Sequence, residues 1–190
     1  MIYDTKCNII LIQGENMQTT KLTRTGLFLV LLIICSQLSI PIPLIPLTLQ
    51  TLAVGVIASV LSVSEGLLII SSYLLMGLVG LPVFANFTGG ISIFISPLGG
   101  YLMGFFFYIL ITKLVLHFTS TNIYSLTLAN LAGAAIQLLV GTIWIMFYAN
   151  ISLSQGVMIG FGPFIIPGLV KIYLVVIISQ RLLNLSLLKS

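Results

Sequence analysis

Three long stretches of this chain, 25–64, 66–112 and 114–170, contain no lysine, arginine, aspartate or glutamate. Each is roughly twice the ~20 apolar residues that one helix needs to cross a bilayer. The chain is 59% hydrophobic and 5% charged, which leaves too little polar surface to cover a water-soluble globule. Because the apolar residues run continuously and do not alternate, the stretches predict transmembrane helices and not the strands of a barrel.

Helix-breaking residues divide each stretch near its middle, so each is predicted to be a helical hairpin. The breakers are Pro41, Pro43 and Pro46, then Pro82 and Pro97, and finally the segment 150–156. The predicted fold class is therefore all-α, an integral membrane protein with about six transmembrane helices. The predicted spans are 22–40, 47–63, 66–81, 98–117, 126–148 and 163–183. The second and third are short, which indicates tilting or local thinning of the bilayer.

Residues 17–190 are predicted to form one transmembrane domain, and residues 1–16 a leader. The leader lacks the apolar core and small-residue cleavage site of a secretory signal. Met17 opens a more usual lead-in to a first span, so the sequence leaves open whether the leader is native. Cys7 lies in the leader and Cys35 in span one, and two such cysteines predict no disulfide or metal framework.

The cations that flank the predicted spans all fall on one side of the membrane. They are Lys21, Arg24, Lys113, His117, Arg181 and Lys189. The loops 41–46, 82–97 and 149–162 carry no charge, so the positive-inside rule predicts a cell-membrane protein with both termini in the cytoplasm and these loops outside. The net charge of +4 then reflects topology, and no basic patch with interleaved aromatics indicates nucleic-acid binding.

Lys171 is the one cation predicted to lie well inside a span. It follows Pro163 by eight residues, or about 12 Å of helix, and the acids Asp4, Glu15 and Glu65 are predicted on the other side. A charge at that depth costs roughly a few kcal/mol. Two explanations stay open: the long stem snorkels to the interface, or the ammonium pairs with an anionic ligand from outside.

Several activities are not expected from these residues. Three scattered acids and one histidine cannot supply a metal pair, an acid and base pair or an activated nucleophile, so the chain is not predicted to be an enzyme. The pairs Gly89-Gly90 and Gly99-Gly100 lack the lysine and hydroxyl residue of a phosphate loop. No cofactor is therefore expected in this chain, and uphill transport would need a partner. A channel is not expected either, since no pore signature occurs.

The outward segments carry neutral polar residues that could surround a ligand: Thr48, Gln50, Asn86, Thr88 and Tyr101. Singly, each is typical of a helix end or turn, and only their convergence beside Lys171 would indicate a binding site. Phenylalanines give the same face an apolar lining, or serve as core or lipid contacts. They are Phe84, Phe87, Phe94, Phe161 and Phe164. The small-residue pairs Gly100/Gly104 and Ala129/Gly133 predict close helix packing.

Four segments of the sequence are more specific indicators of a protein family than its composition is. They are SIPIPLIPLTLQTLAV at 39–54, GLVGLPVFANFTGG at 77–90, SPLGGYLMGF at 96–105 and GPFIIPGLVK at 162–171. Together, and in this order, they resemble the signature segments of the biotin-specific substrate-capture (S) component of energy-coupling-factor (ECF) transporters. The resemblance implies an S-component fold that captures biotin from outside. It also implies a transmembrane coupling protein and two cytoplasmic ATPase subunits as partners, with ATP used by the latter.

The resemblance also implies roles for individual residues. Lys171 would pair with the valerate carboxylate of biotin, and Asn86 would hydrogen-bond the ureido head. The bicycle and chain would lie against aromatic and glycine-rich segments that include Phe84, Gly89, Gly90 and Tyr101. Gln50 is implied less directly, as a ligand contact or as a residue that holds its loop.

The sequence departs from the family pattern at two places. Gly168 stands where the family usually has an aspartate, three residues before the lysine, so a ureido contact is lost. This predicts weaker binding, relaxation toward an analogue, or compensation by a group such as Gln50. The Ala-x-x-x-Ala pair that docks on the coupling protein becomes Gly26 and Val30. Capture of another anionic vitamin is thus the alternative function, and an intramembrane enzyme is a distant one.

Overall fold

The computed structural model describes residues 2–40, 45–119 and 121–185, with side chains described from Thr19 onward. The helices are α1 (Ile2–Gln37), α2 (Gln50–Val60), α3 (Val63–Leu78), α4 (Ile91–Ile95), α5 (Gly99–Phe118), α6 (Ile123–Ala149), α7 (Leu153–Gly160) and α8 (Ile165–Asn184). Two short antiparallel strands, β1 (Ser39–Ile40) and β2 (Leu47–Thr48), pair Ser39 with Thr48. The all-α membrane fold predicted from the sequence is confirmed.

Each of the six predicted spans corresponds to a helix. Four helical segments are long and apolar enough to cross a bilayer, namely 19–37, 99–118, 123–149 and 153–184. The other two are α2 and α3, with 11 and 16 residues, or about 16 and 24 Å at 1.5 Å per residue. Both are shorter than the ~30 Å hydrocarbon core, as the sequence indicated for spans two and three.

Local signals explain why α2 and α3 are separate helices. α2 ends at Val60, and α3 starts immediately after Ser62, whose hydroxyl accepts from the Glu65 amide. The Glu65 carboxylate accepts in return from the Ser62 amide at 3.0 Å, which completes a capping box. Arg24 of α1 also forms an ion pair with Glu65. The turn between the two short helices is therefore fixed by the same acid that anchors α1.

The two ends of the bundle differ in charge. One end holds the Arg24–Glu65 pair and Lys113, whose Nζ donates to the carbonyl oxygen of Ser59 at 3.4 Å. His117 and Arg181 lie in the last turns of α5 and α8, and Leu116 and Leu183 pack against one common cluster, so these turns are neighbours. The described parts of the uncharged loops, 45–46, 82–97 and 149–162, lie at the opposite end, where Ile45 and Ile159 pack in one cluster.

The core depends on close packing of α5 against α6. A Cβ at Gly133 would lie 2.4 Å from Thr112 Oγ1, and a Cβ at Gly104 would lie 2.9 Å from Gln137 Cγ. The small residues predicted to allow close helix packing do so. A buried hydrogen-bond chain crosses the same core, in which the Tyr108 hydroxyl donates to Asn130 Oδ1 at 3.1 Å and Asn130 Nδ2 donates to Ser59 Oγ at 2.8 Å.

We expect Gly133→Ala to lower stability by about 1–3 kcal/mol, because the added methyl overpacks a tight interface and would lie 3.0 Å from the Tyr108 carbonyl oxygen. Gly26→Ala is the matched control, since a Cβ there meets nothing within 4 Å. Thermal unfolding of both variants and the parent in detergent measures the difference. Equal midpoints for Gly133→Ala and the parent would contradict this view of the α5–α6 interface.

Candidate ligand-binding site

A cavity lies between α2, α5, α6 and α8 at the uncharged end of the bundle. Its volume is about 80 Å³, several times the ~10–15 Å³ that one water needs. Most of its lining is apolar, contributed largely by Ile45, Phe84, Ala85, Ile93, Leu98, Leu102, Phe105, Leu138, Phe164, Ile172 and Val175. Polar groups enter from Thr48, Gln50, Thr51, Tyr101, Tyr108, Gln137 and Lys171. Few polar groups in an apolar cavity are typical of a small-molecule site.

Lys171 is the cation of this cavity. Its Nζ donates to the carbonyl oxygen of Thr48 at 2.6 Å and to Oγ1 of Thr51 at 3.1 Å. Glu65 is the one acid whose side chain the structure describes, and it pairs with Arg24 at the other end. Among the described residues, the half-buried ammonium therefore has neutral partners only. Its side chain reaches across to α2, so snorkelling along α8 does not account for it.

The start of α2 adds to the positive potential beside Lys171. The helix begins after Leu49, which provides no side-chain cap, and Thr51 of its first turn lines the cavity. The Gln50 amide donates to Thr48 Oγ1 at 3.3 Å, and the Leu52 and Ala53 amides donate to the Leu49 carbonyl oxygen, but the helix N-terminus still carries partial positive charge. A cation placed next to it is not stabilised by the helix. Both features favour an anion in the cavity.

Gln50 lines the cavity, but its amide is engaged on both sides. Its Oε1 accepts from Thr48 Oγ1 at 2.9 Å, and its Nε2 donates to the Tyr73 hydroxyl, which donates to the Val83 carbonyl oxygen at 3.1 Å. Gln50 is 7% exposed and Tyr73 is fully buried. The amide thus links the start of α2 to α3 and the loop after it. Its predicted ligand contact stays a prediction.

Tyr101 and Phe84 form parts of the cavity wall. The Tyr101 hydroxyl donates to the Gly160 carbonyl oxygen at 3.0 Å, and its ring centroid lies 6.1 Å from that of Phe164. Phe84 makes edge contacts with Tyr73 and Phe94 at 5.3 and 5.7 Å. Both predicted side chains therefore line the same cavity as Lys171.

The other part of the predicted loop does not line the cavity. Asn86 is exposed, has a left-handed backbone (φ 58°) and accepts from Ser39 Oγ at 2.8 Å. Gly90 has φ +96°, which favours glycine, and its amide donates to the Gly77 carbonyl oxygen at 2.7 Å. A Cβ at Gly89 would lie 2.3 Å from the Leu81 carbonyl oxygen. These glycines shape the turn that leads into α4.

Gly168 does line the cavity, three residues before Lys171 on α8. A Cβ at this position would meet nothing within 4 Å. Residues at this spacing are neighbours on one helix face. The position that the family pattern fills with an acid is thus open space beside the cation.

Gln137 is a polar residue of the cavity that the sequence patterns did not indicate. It is 3% exposed, lines the cavity from α6, and its Nε2 makes one long hydrogen bond, 3.4 Å, to the Tyr101 carbonyl oxygen. Its Oε1 has no donor among the described residues. The available signal was a polar residue deep in a long apolar helix, which in membranes often marks a site.

The fold defines a multi-pass helical membrane protein, and its cavity at the uncharged end of the bundle is the candidate ligand site. A family model described as the BioY family matches residues 11–187, and the chain belongs to this family. It is 36% identical over 171 residues to the biotin transporter BioY2 of Lactococcus lactis, covering 88% of this chain and 94% of that protein. The biotin transporter BioY of Thermotoga maritima is 33% identical over 166 residues, covering 87% and 97%.

A solved structure shares the fold. It is the crystal structure of the S-component for biotin from an ECF-type ABC transporter, with a TM-score of 0.79 and 28% identity, covering 88% of this chain and 92% of that one. The family resemblance seen in the four sequence segments is therefore confirmed, and so is the S-component fold.

Proposed function

We propose that this chain is the substrate-binding subunit of an ATP-driven ECF transporter and that it captures biotin from outside the cell. The observation that carries the proposal is Lys171, a cation in an apolar cavity whose partners are a carbonyl and a hydroxyl. The names of the relatives support biotin as the ligand and transport, not catalysis, as the activity.

The Lys171 ammonium binds the valerate carboxylate in this proposal. Lysine offers three N–H donors, two of which the structure occupies, so one is open for a ligand without loss of the existing bonds. A carboxylate next to the start of α2 gains from the helix end as well. The apolar chain and bicycle then contact Phe84, Leu102 and Phe105. One cavity thus offers a cation for the carboxylate of biotin and an apolar wall for the rest of the molecule.

The ureido head requires its own partners, and we assign the first of these to Gln137. Its amide is buried, borders the cavity and has an acceptor oxygen without a donor, which suits a ureido N–H. This would compensate for the acid that Gly168 replaces. The predicted contact from Asn86 requires the loop to turn inward from Ser39, and Gln50, Gly89, Gly90 and Tyr101 then shape the site around the ligand.

We expect Lys171→Met to retain the fold and to lose about 2–5 kcal/mol of biotin affinity, the usual cost of breaking a buried charge pair. Titration of biotin and its methyl ester against both proteins closes a cycle whose coupling term isolates the ion pair. Arg181→Met, an exposed cation on the same helix, is the matched control and should bind both ligands like the parent. A coupling near zero would remove Lys171 from the site.

Gln137→Met should weaken biotin by about 1–3 kcal/mol, because a buried ureido N–H would be left without an acceptor. The neighbouring Leu138→Met changes the same wall without changing its polarity and should have a much smaller effect. Calorimetric titration of the two variants decides the assignment. If they bind biotin alike, Gln137 serves helix packing.

Gly168 favours a second candidate, capture of another anionic vitamin or a biotin analogue. The open space beside Lys171 admits a ligand wider than biotin near its charged end. Competition separates the two functions. If an unlabelled biotin excess fails to displace the ligand that the protein takes up from a vitamin mixture, biotin is not the substrate.

We also propose that both termini face the cytoplasm and that the cavity opens outward, because Arg24, Lys113 and Arg181 lie at the opposite end of the bundle from the cavity. The positive-inside rule supports this orientation. In a background without Cys7 and Cys35, a cysteine at Asn150 should react with an impermeant maleimide added outside intact cells. Reaction only after permeabilisation would reverse the orientation.

For the partners, we propose a transmembrane coupling protein that contacts α1, with two cytoplasmic ATPase subunits bound to it. Gly26 has open space around it, and Val30 and Ile34 are 55% and 54% exposed along the same helix face. A large side chain there should block docking without reaching the cavity. Val30→Trp should reduce copurification with the coupling protein while biotin affinity is kept, and Leu128→Trp on exposed α6 is the control. Equal copurification would exclude this face.

A further inference from the structure

A second pocket lies at the cationic end of the bundle, between the link from α2 to α3 and the last turns of α5. Its lining is part polar and part apolar, made by Ser59, Ser62, Val63, Leu110, Lys113, Leu114, Leu116, His117 and Thr121. None of these residues borders the ligand cavity. The pocket is therefore a separate site, and the proposed biotin binding does not use it.

Lys113 brings positive charge to the pocket, and among the described residues it has no ion-pair partner. Lys113 Nζ has one long hydrogen bond, 3.4 Å, to the Ser59 carbonyl oxygen, which leaves two of its three donors open. His117 lies one turn further along α5 on the same face. The nearby Glu65 carboxylate is taken by Arg24 and by the hydroxyl and amide of Ser62. An anion would find free donors here.

The depth of the pocket and its apolar wall indicate what kind of anion fits. Lys113 is five residues before the end of α5 at Phe118, or about 7.5 Å from it, so its long side chain can reach the boundary between headgroups and acyl chains. Leu110, Leu114 and Val63 line the pocket and are 43%, 53% and 39% exposed. A ligand with a negatively charged head joined to apolar chains would fit both the cationic part of the pocket and its apolar wall.

We propose that this pocket binds the phosphate headgroup of an anionic phospholipid, with Lys113 and His117 at the phosphate and the leucines along the acyl chains. Basic pockets between transmembrane helices on the cytoplasmic side are suited to such headgroups. A water-soluble phosphate would leave the apolar wall uncovered, and so would a short acidic peptide segment. The lipid is therefore the occupant that accounts for the whole lining.

Native mass spectrometry of the purified protein with added phosphatidylglycerol or phosphatidylcholine tests the proposal. The parent should retain phosphatidylglycerol in preference to phosphatidylcholine. Lys113→Gln should lower phosphatidylglycerol retention roughly fivefold, given about 1 kcal/mol per cation near anionic lipid, and Lys113→Arg should restore it. Arg181→Gln, a cation at the same end outside this pocket, should retain lipid like the parent. Unchanged biotin affinity reports that each variant is folded.

Three results would overturn the proposal. The first is equal retention of the two lipids by the parent. The second is parent-like retention of phosphatidylglycerol by Lys113→Gln. The third is full displacement of the lipid by glycerol phosphate, which would make the pocket a site for soluble phosphate esters. If the second result is accompanied by loss of a protein partner, the pocket is a protein contact.

Discussion

The ammonium of Lys171, held by the Thr48 carbonyl and the Thr51 hydroxyl, is the interaction on which the site depends. A half-buried charge is costly in an apolar bundle unless it has polar partners. The bond to Thr48 also connects α8 to the segment before α2, so the two sides of the cavity are joined through the same cation. A ligand carboxylate could bind the ammonium without breaking either of these hydrogen bonds. The cavity is therefore preorganised for an anion.

Most of the fold could be predicted because the chain has so few charges. Long uncharged stretches divided by prolines leave little choice besides helical hairpins, and each predicted span has a helix within a few residues of it. The short helices α4 and α7 were not predicted, since they lie in segments whose prolines and glycines indicate turns. α7 starts at a capping box formed by Ser152 and Gln155, whereas α4 starts after Gly90 without a side-chain cap. A capping box depends on only a few residues, so the long apolar pattern of the chain does not reveal it.

The lining of the candidate site was predictable where a residue type is unusual for its surroundings. A lysine within an apolar helix indicates function by itself, and the structure brings Lys171, Gln50, Tyr101, Phe84 and Gly168 to one cavity. Asn86 shows the limit of motif reasoning, because a loop motif does not specify which way a side chain points, and here it points to Ser39. Gln137 was missed because an uncharged amide in a helix is also common in helix packing.

A crystal structure of the protein with biotin bound would test the account most directly. We expect the valerate carboxylate within about 3 Å of Lys171 Nζ, as charge-assisted hydrogen bonds require, with the ureido head toward Gln137 on α6. The existing bond from Nζ to the Thr48 carbonyl oxygen should persist. A carboxylate directed away from α8, with the ammonium still bound only to Thr48 and Thr51, would contradict the central claim that this lysine supplies the counter-charge for the ligand.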